Sequence, residues 1–313
     1  MATRCPAPVP VLLVTALTAT LAGCAVPEAG TVSATAADAP LASCGVFFDD
    51  FAYSGGDDPE LAGHGWNVRD YQGGPGVPGA GWTADAVRFP NGQDATLLRL
   101  HAATDGTPAG TTQAELAFGE RKFFEGTYAA RVRFTDAPVT GPDGDRLVQT
   151  FFTITPLAAD NDPAYSELDF EYLPNGGWGE TGPALFFTSW ETYQREPWQA
   201  DNTHDVARGS FDGWHDLVVQ VSGGTVRYHV DGELVAEHGG RYYPDSPMSI
   251  NFNQWFIDLD AHSGGGRSEY TQDVDYVYYA GDEVLSPAEV GDRVAAQRAA
   301  GTERTDTVDG CAG

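Results

Sequence analysis

An all-β fold, two antiparallel layers packed as a sandwich, is what this chain predicts, and three observations predict it. Between residues 46 and 280 short apolar runs are broken by Gly, Pro, Asn and Asp, helical periodicity is almost missing, and two-residue turn signals join neighbouring runs. In chain order "GTYAARVRF" (126–134), "RLVQTFFTIT" (146–155), "SELDFEYL" (166–173), "PALFFTSW" (183–190) and "HDLVVQV" (215–221) read as strands. The "GG" at 223–224 turns the last of these into "TVRYHV", and the "DG" at 231–232 turns that into "ELVAE". The glycine- and proline-rich "QGGPGVPGAG" (72–81) reads as a loop. One helix is predicted after the strands: Ser286, Pro287 and Glu289 form a capping box with proline at the first helical position, and Gly301 closes the run. It reads as a terminal appendage outside any site.

The chain has 313 residues with 17 basic and 45 acidic side chains, a formal net charge of −28. That balance argues against nucleic acid, anionic lipid or sulfated polymers as partners. Aromatic content of 12% supports a packed core, so the acidity dresses a globular surface and does not mark disorder. A single domain and a monomer are expected. The N-terminus reads as an export signal, with Arg4 followed by an apolar run ending in "LAGC", which resembles a bacterial lipobox. The expected organisation is a lipoprotein signal peptide over 1–23, a lipid on Cys24, a flexible tether over 24–43, the main domain over 44–285, and a helix and tail over 286–313. An ordinary cleaved signal is the alternative. Either way the protein is expected outside the cell, with membrane contact only through the lipid. Cys44 and Cys311 remain at the two ends of the folded region, where a disulfide would staple them together. With no CxxC and no HExxH, zinc is not expected.

The informative stretch is "SELDFEYLPNGGWG" (166–179). Side chains on a strand alternate, so Tyr165, Glu167, Asp169, Glu171 and Leu173 share one face while Leu168, Phe170 and Tyr172 share the other. Three like charges on one edge repel, and in an acidic protein a plain solvated face is the bland explanation. The aromatic company of Tyr165, Trp178 and Trp190 argues for a sugar site, because pyranose C–H faces stack on aromatic planes. Retaining glycoside hydrolysis needs two carboxyl groups roughly 5–5.5 Å apart. Cα atoms four apart on a flat strand are about 13 Å apart, so curvature and long Glu side chains must close the gap. Asp169 between them can hold the acid's pKa above that of the nucleophile.

These residues carry a resemblance: "ELDFE" looks like the E-x-D-x-E signature of glycoside hydrolase family 16, which includes lichenases, laminarinases and xyloglucan-modifying enzymes. "EGTYAARVRF", "FFTIT", "VRYHVDGELV", "PMSINFNQW" and "VDYVYY" resemble the family's other strands in order, so the likeness covers roughly residues 46–280. The resemblance implies a concanavalin-like β-jelly roll of two curved antiparallel sheets with an open cleft, and retaining endo-hydrolysis of a β-glucan-type chain. It implies Glu167 as nucleophile, Asp169 as helper and Glu171 as acid/base, with Tyr165, Arg131, Phe152, Trp178, Trp190 and Trp255 toward substrate. No residue is inserted between Asp169 and Glu171, which places the motif nearer the lichenase and xyloglucan branch. No cofactor is implied for the chemistry; a structural calcium is, with Asp275 where a ligand can occur. The chain departs from the lichenase pattern at Leu185 and Phe187, where polar partners for sugar hydroxyls are expected, and in "HGWNVRDYQGGPG", which is different in kind.

Trp66, Trp82 and Trp214 read as packing residues and His215 as a satisfied structural histidine; His64, His204 and His262 are expected in loops. Two alternatives stand beside the hydrolase: a non-catalytic carbohydrate-binding jelly roll, which has no need of three ionised neighbours, and a transglycosylase on the same site. A serine esterase is disfavoured, since no G-x-S-x-G elbow occurs.

Overall fold

A computed structural model describes residues 45–92 and 96–308. The signal segment, Cys24, the tether, and both Cys44 and Cys311 lie outside the described residues.

The described chain is β-rich. Its strands are β1 Val46–Asp49, β2 Trp66–Val68, β3 Gly81–Trp82, β4 Val87–Arg88, β5 Leu98–Thr104 and β6 Thr112–Phe118. Then come β7 Gly126–Phe134, β8 Leu147–Ile154, β9 Glu167–Leu173, β10 Ala184–Gln194, β11 Gln199–Arg208 and β12 Gly213–Ser222. The last are β13 Thr225–Val230, β14 Glu233–Gly239, β15 Ser249–Phe256, β16 Ser268–Gly281 and β17 Arg304–Asp306. Two α-helices, α1 Pro59–Gly63 and α2 Pro287–Ala299, complete it.

Pairing orders one layer, the front sheet, as β2-β6-β15-β8-β9-β10-β11, all antiparallel. The back sheet runs β14-β13-β12-β7-β16, with β1 and β5 each antiparallel to β16. Strand β6 also touches β3 and β5, so the ladder is nearly closed, as a jelly-roll sandwich requires. The alternation read in the sequence is the reason the layers pack. Phe151, Leu168, Phe170, Tyr172, Leu185, Phe187, Ile250 and Phe252 of the front sheet meet Ala130, Val132, Leu217, Val219 and Tyr228 of the back sheet in one buried core. Both hairpin turns form as expected: Gly223 and Gly224 have φ of 59° and 78°, Asp231 and Gly232 have 50° and 86°, the left-handed pair that two-residue turns demand.

The C-terminal segment is not an appendage. Ser286 caps α2 through the capping box with Glu289, and Val290 and Val294 bury against Val46, Phe48, Tyr276 and Tyr278 on the outer face of the back sheet. Beyond the helix, β17 pairs with β1. The expected boundary at residue 285 therefore cuts through one packed unit.

Candidate active site

Residues of the front sheet that do not enter the core face the other way, onto the candidate cleft face. On β9 these are Glu167, Asp169, Glu171 and Leu173, the mates of the core-facing Leu168, Phe170 and Tyr172. Register places Phe152 and Thr188 beside Asp169, and Thr150 and Phe186 beside Glu171. On β15, Asn251 is opposite Phe152, and Asn253 is opposite both Thr150 and Glu115 of β6. The carboxylates thus lie mid-sheet, with one ring and one threonine beside each of Asp169 and Glu171.

The three carboxylates interact directly. Asp169, 3% exposed, is hydrogen-bonded to Glu167 and receives Nε1–H of Trp190 at 2.9 Å. The Tyr165 hydroxyl donates to Glu167, and Thr188 bonds Glu171. Burial pushes Glu167 up to about 7, opposed by the Tyr165 bond. Burial first, then the charge of Glu167, pushes Glu171 up to about 8. Asp169 is raised well above the carboxylate range by burial and by both glutamates. Glu167 and Glu171 are half-buried as whole residues, whereas Asp169 between them is buried. The chemical consequence is a site that holds at least one proton near neutral pH, with Glu171 the more reluctant of the two glutamates to lose it.

Rings close the flanks. Trp178 is 45% exposed, its ring 5.4 Å from Phe186 and 6.0 Å from Trp255. Trp255 joins Trp82, Val148, Leu173, Ala184 and Phe186 in an apolar cluster under the Glu171 end. At the Glu167 end, Tyr165 meets Tyr193 at 5.2 Å and Trp190 meets Tyr193 at 6.0 Å.

Of the residues the sequence singled out, Glu167, Asp169, Glu171, Tyr165, Phe152, Trp178, Trp190 and Trp255 are brought together on or around this face. Arg131 is not. Its neighbours Ala130 and Val132 fill the core, so its side chain leaves the outer face of the back sheet, over Trp214 at 5.6 Å and 4.0 Å from Asp275. Asp275 likewise does not fit a calcium ligand. Its carboxylate accepts from Arg298 at 3.0 and 3.2 Å, and the same guanidinium reaches Asp50 at 2.9 Å through Nε. A calcium needs six to eight oxygens and anionic charge, whereas here a cation already sits between the two acids. Leu185 and Phe187 belong to the core face, so the cleft-side positions of β10 are Phe186 and Thr188, and the departure noted in the sequence is not one of the cleft. His204 lies in strand β11, not in a loop.

Sequence reading missed several residues here. Glu115, Asn251 and Asn253 were legible by alternation, since Leu116, Ile250 and Phe252 between them point to the core. Arg69 was not. It reaches from the loop after β2 to pair Glu115 at 3.1 Å, stacks on Trp82 at 3.9 Å and bonds the carbonyls of Gly73 and Gly74, contacts set by loop conformation alone. A second constellation resembles a hydrolase triad only in composition. Ser189 Oγ lies 2.9 Å from His238 Nδ1 and His238 Nε2 lies 3.2 Å from Asp205, but Ser189 is fully buried between the sheets and no substrate reaches it.

The two-sheet jelly-roll fold is shared with solved enzymes of glycoside hydrolase family 16. A prokaryotic β-1,3-1,4-glucanase (lichenase) from a mouse hindgut metagenome superposes with a TM-score of 0.54 at 22% identity, over 75% of this chain and 98% of that one. A glycoside hydrolase family 16 endo-glucanase from Bacteroides ovatus gives 0.55 at 15% identity, over 74% and 98%. A Zobellia galactanivorans protein solved with laminaritriose and laminaritetraose gives 0.52 at 16%, over 74% and 97%. At these identities the likeness establishes the fold. No protein-family model and no curated protein matches the sequence.

Proposed function

We propose that the protein is a retaining endo-β-glycanase acting on a neutral β-glucan-type polysaccharide. The observation that carries this reading is the Glu167–Asp169–Glu171 row, half-buried at both glutamates, joined through a buried aspartate and flanked by rings. In the proposed reaction Glu167 attacks the anomeric carbon while Glu171 donates its proton to the departing glycosidic oxygen. That leaves a glycosyl ester on Glu167. Glu171, now ionised, takes a proton from water, whose oxygen displaces Glu167 and restores both groups. Asp169, held by Trp190 Nε1–H, stays beside Glu167 and lets the proton inventory of the row follow the reaction. The lichenase, endo-glucanase and laminari-oligosaccharide complexes with this fold support glucans as the class to test first.

Reducing-sugar release from laminarin, mixed-linkage glucan, xyloglucan and galactan tests the reading. Cleavage of at least one by the wild type is expected, with Glu167→Gln and Glu171→Gln each losing on the order of 10²–10⁴-fold. Full turnover by Glu167→Gln would overturn the assignment. Product analysis with added acceptor sugars distinguishes hydrolysis from transglycosylation. Export with a lipid on Cys24 is part of the same proposal: fatty-acid labelling of the expressed chain should vanish in Cys24→Ala.

A further inference from the structure

We propose that the tip of the β10–β11 hairpin is a second sugar-binding position, with Trp198 as the ring on which a unit of the polysaccharide lies beyond the Glu167 end of the cleft. The proposal rests on the hydrolase reading above and extends it to a residue outside the acidic strand. Three observations carry it.

Trp198 is 62% exposed, a large apolar ring held in water, and single exposed hydrophobes are ordinary. This one is not isolated. Its ring is 5.3 Å from Tyr193 and 6.3 Å from Trp190, Tyr193 is 5.2 Å from Tyr165, and Trp190 and Tyr165 hydrogen-bond Asp169 and Glu167 respectively. Rings therefore run without a break from the reacting carboxylates to the hairpin tip.

A backbone device puts them there. The β10–β11 register skips one residue between Trp190 and Thr192, so Glu191 is the extra residue of a bulge. Without it Thr192, not Tyr193, would follow Trp190 onto the cleft face; with it Tyr193 does, and the ring series continues.

The tip is also fixed in place from outside. The loop of residues 156–164 ties it down through Asn161 N–H to the Tyr193 carbonyl at 2.9 Å and Asn161 Nδ2 to Gln194 Oε1 at 3.2 Å. Arg195 adds bonds from N and Nε to Asp160 Oδ1, both at 3.1 Å. A hairpin so anchored presents its ring with little ordering left to lose on binding, which is how a platform gains affinity. Flat apolar stacking surfaces suit the C–H face of a neutral sugar, and the charged groups beside the tip are already paired with one another, Asp160 with Arg195 and Asp201 with Arg241.

The test is Trp198→Ala and Trp198→Phe, with melting temperature as the folding check. Each is assayed for KM and kcat on whichever of laminarin, mixed-linkage glucan, xyloglucan and galactan the wild type cuts, and by mobility in native gels cast with each polymer. A KM raised roughly three- to tenfold in Trp198→Ala, kcat within about twofold, weaker retardation and partial recovery in Trp198→Phe are expected. Unchanged KM and mobility in a variant that melts like the wild type overturn the proposal, as does a fall in kcat at constant KM. If the wild type cuts none of the four polymers, the hydrolase reading falls, and the gels still decide: loss of retardation in Trp198→Ala supports the platform, and equal retardation or none removes it.

Discussion

Glu167 and Glu171 differ in acidity because of what touches each. Tyr165 donates to Glu167 and opposes the effect of burial, whereas Glu171 has Thr188 and, against it, the charge of Glu167. The pH dependence of kcat/KM should therefore be bell-shaped, the acidic limb following ionisation of Glu167 near 7 and the alkaline limb following proton loss from Glu171 near 8. A profile flat from pH 5 to 9 would contradict it. Stability carries the same signature with a definite sign. Both groups are raised, so the folded state keeps protons that the unfolded chain releases, and stability is lost as pH climbs from the ordinary carboxylate range toward 8. Glu171→Gln should accordingly raise the melting temperature at pH 8 by a few degrees and leave it nearly unchanged at pH 4, measured by calorimetry.

Elements place these residues with devices that can be broken singly. Trp178 is carried by the turn after β9 with φ of +50°, flanked by Gly176 at +73° and Gly177 at +137°. A tryptophan in the left-handed region is costly, and its use where a ring must overhang a cleft is a reason to pay it. A Cβ at Gly176 would meet the Glu180 carbonyl oxygen at 2.5 Å, backbone that cannot yield. Gly176→Ala should lower stability by about 1–3 kcal/mol and raise KM for polymer by displacing Trp178, readable from denaturant curves and steady-state kinetics. Helix α2 supplies a different device. Its Arg298 lies between Asp50 and Asp275, a cation delivered by the chain itself. A chelator should leave the melting temperature of the wild type unchanged. Arg298→Ala should cost on the order of 1–3 kcal/mol, less than a fully buried pair because the guanidinium is part exposed.

At the scale of the molecule, the C-terminal segment closes the sandwich. Helix α2 covers Val46, Phe48, Tyr276 and Tyr278, and β17 hydrogen-bonds β1, where Arg304 lies 3.7 Å from the buried Asp49. Asp49 in turn accepts from Tyr53 at 2.6 Å and Trp66 at 2.8 Å, so one carboxylate joins β1, the following loop and β2. Ending the chain at Leu285 would expose an apolar sheet face and an unpaired strand edge. Such a chain is expected in the insoluble fraction on expression; recovery of a soluble, cooperatively melting product would refute this account.

What the residues determine alone is whatever depends on period and local conformation. The two-residue alternation of "SELDFEYL" puts Glu167, Asp169 and Glu171 on one face and Leu168, Phe170 and Tyr172 on the other, Gly223–Gly224 and Asp231–Gly232 make their turns, and Ser286 with Glu289 starts a helix. Strand β11, "QADNTHDVAR", was illegible because an edge strand at the rim of the front sheet has no apolar alternation to betray it. Alternation says that Arg131 and Glu167 each leave the core, but not that they leave from opposite sheets; that follows only when β7 and β9 are assigned to different layers. The same holds for Arg298 between Asp50 and Asp275, for Arg69 on Glu115, and for the rings that gather Trp198 to Trp190. Those contacts join segments far apart in the chain or turned by a bulge, and only the closed sandwich brings them within reach.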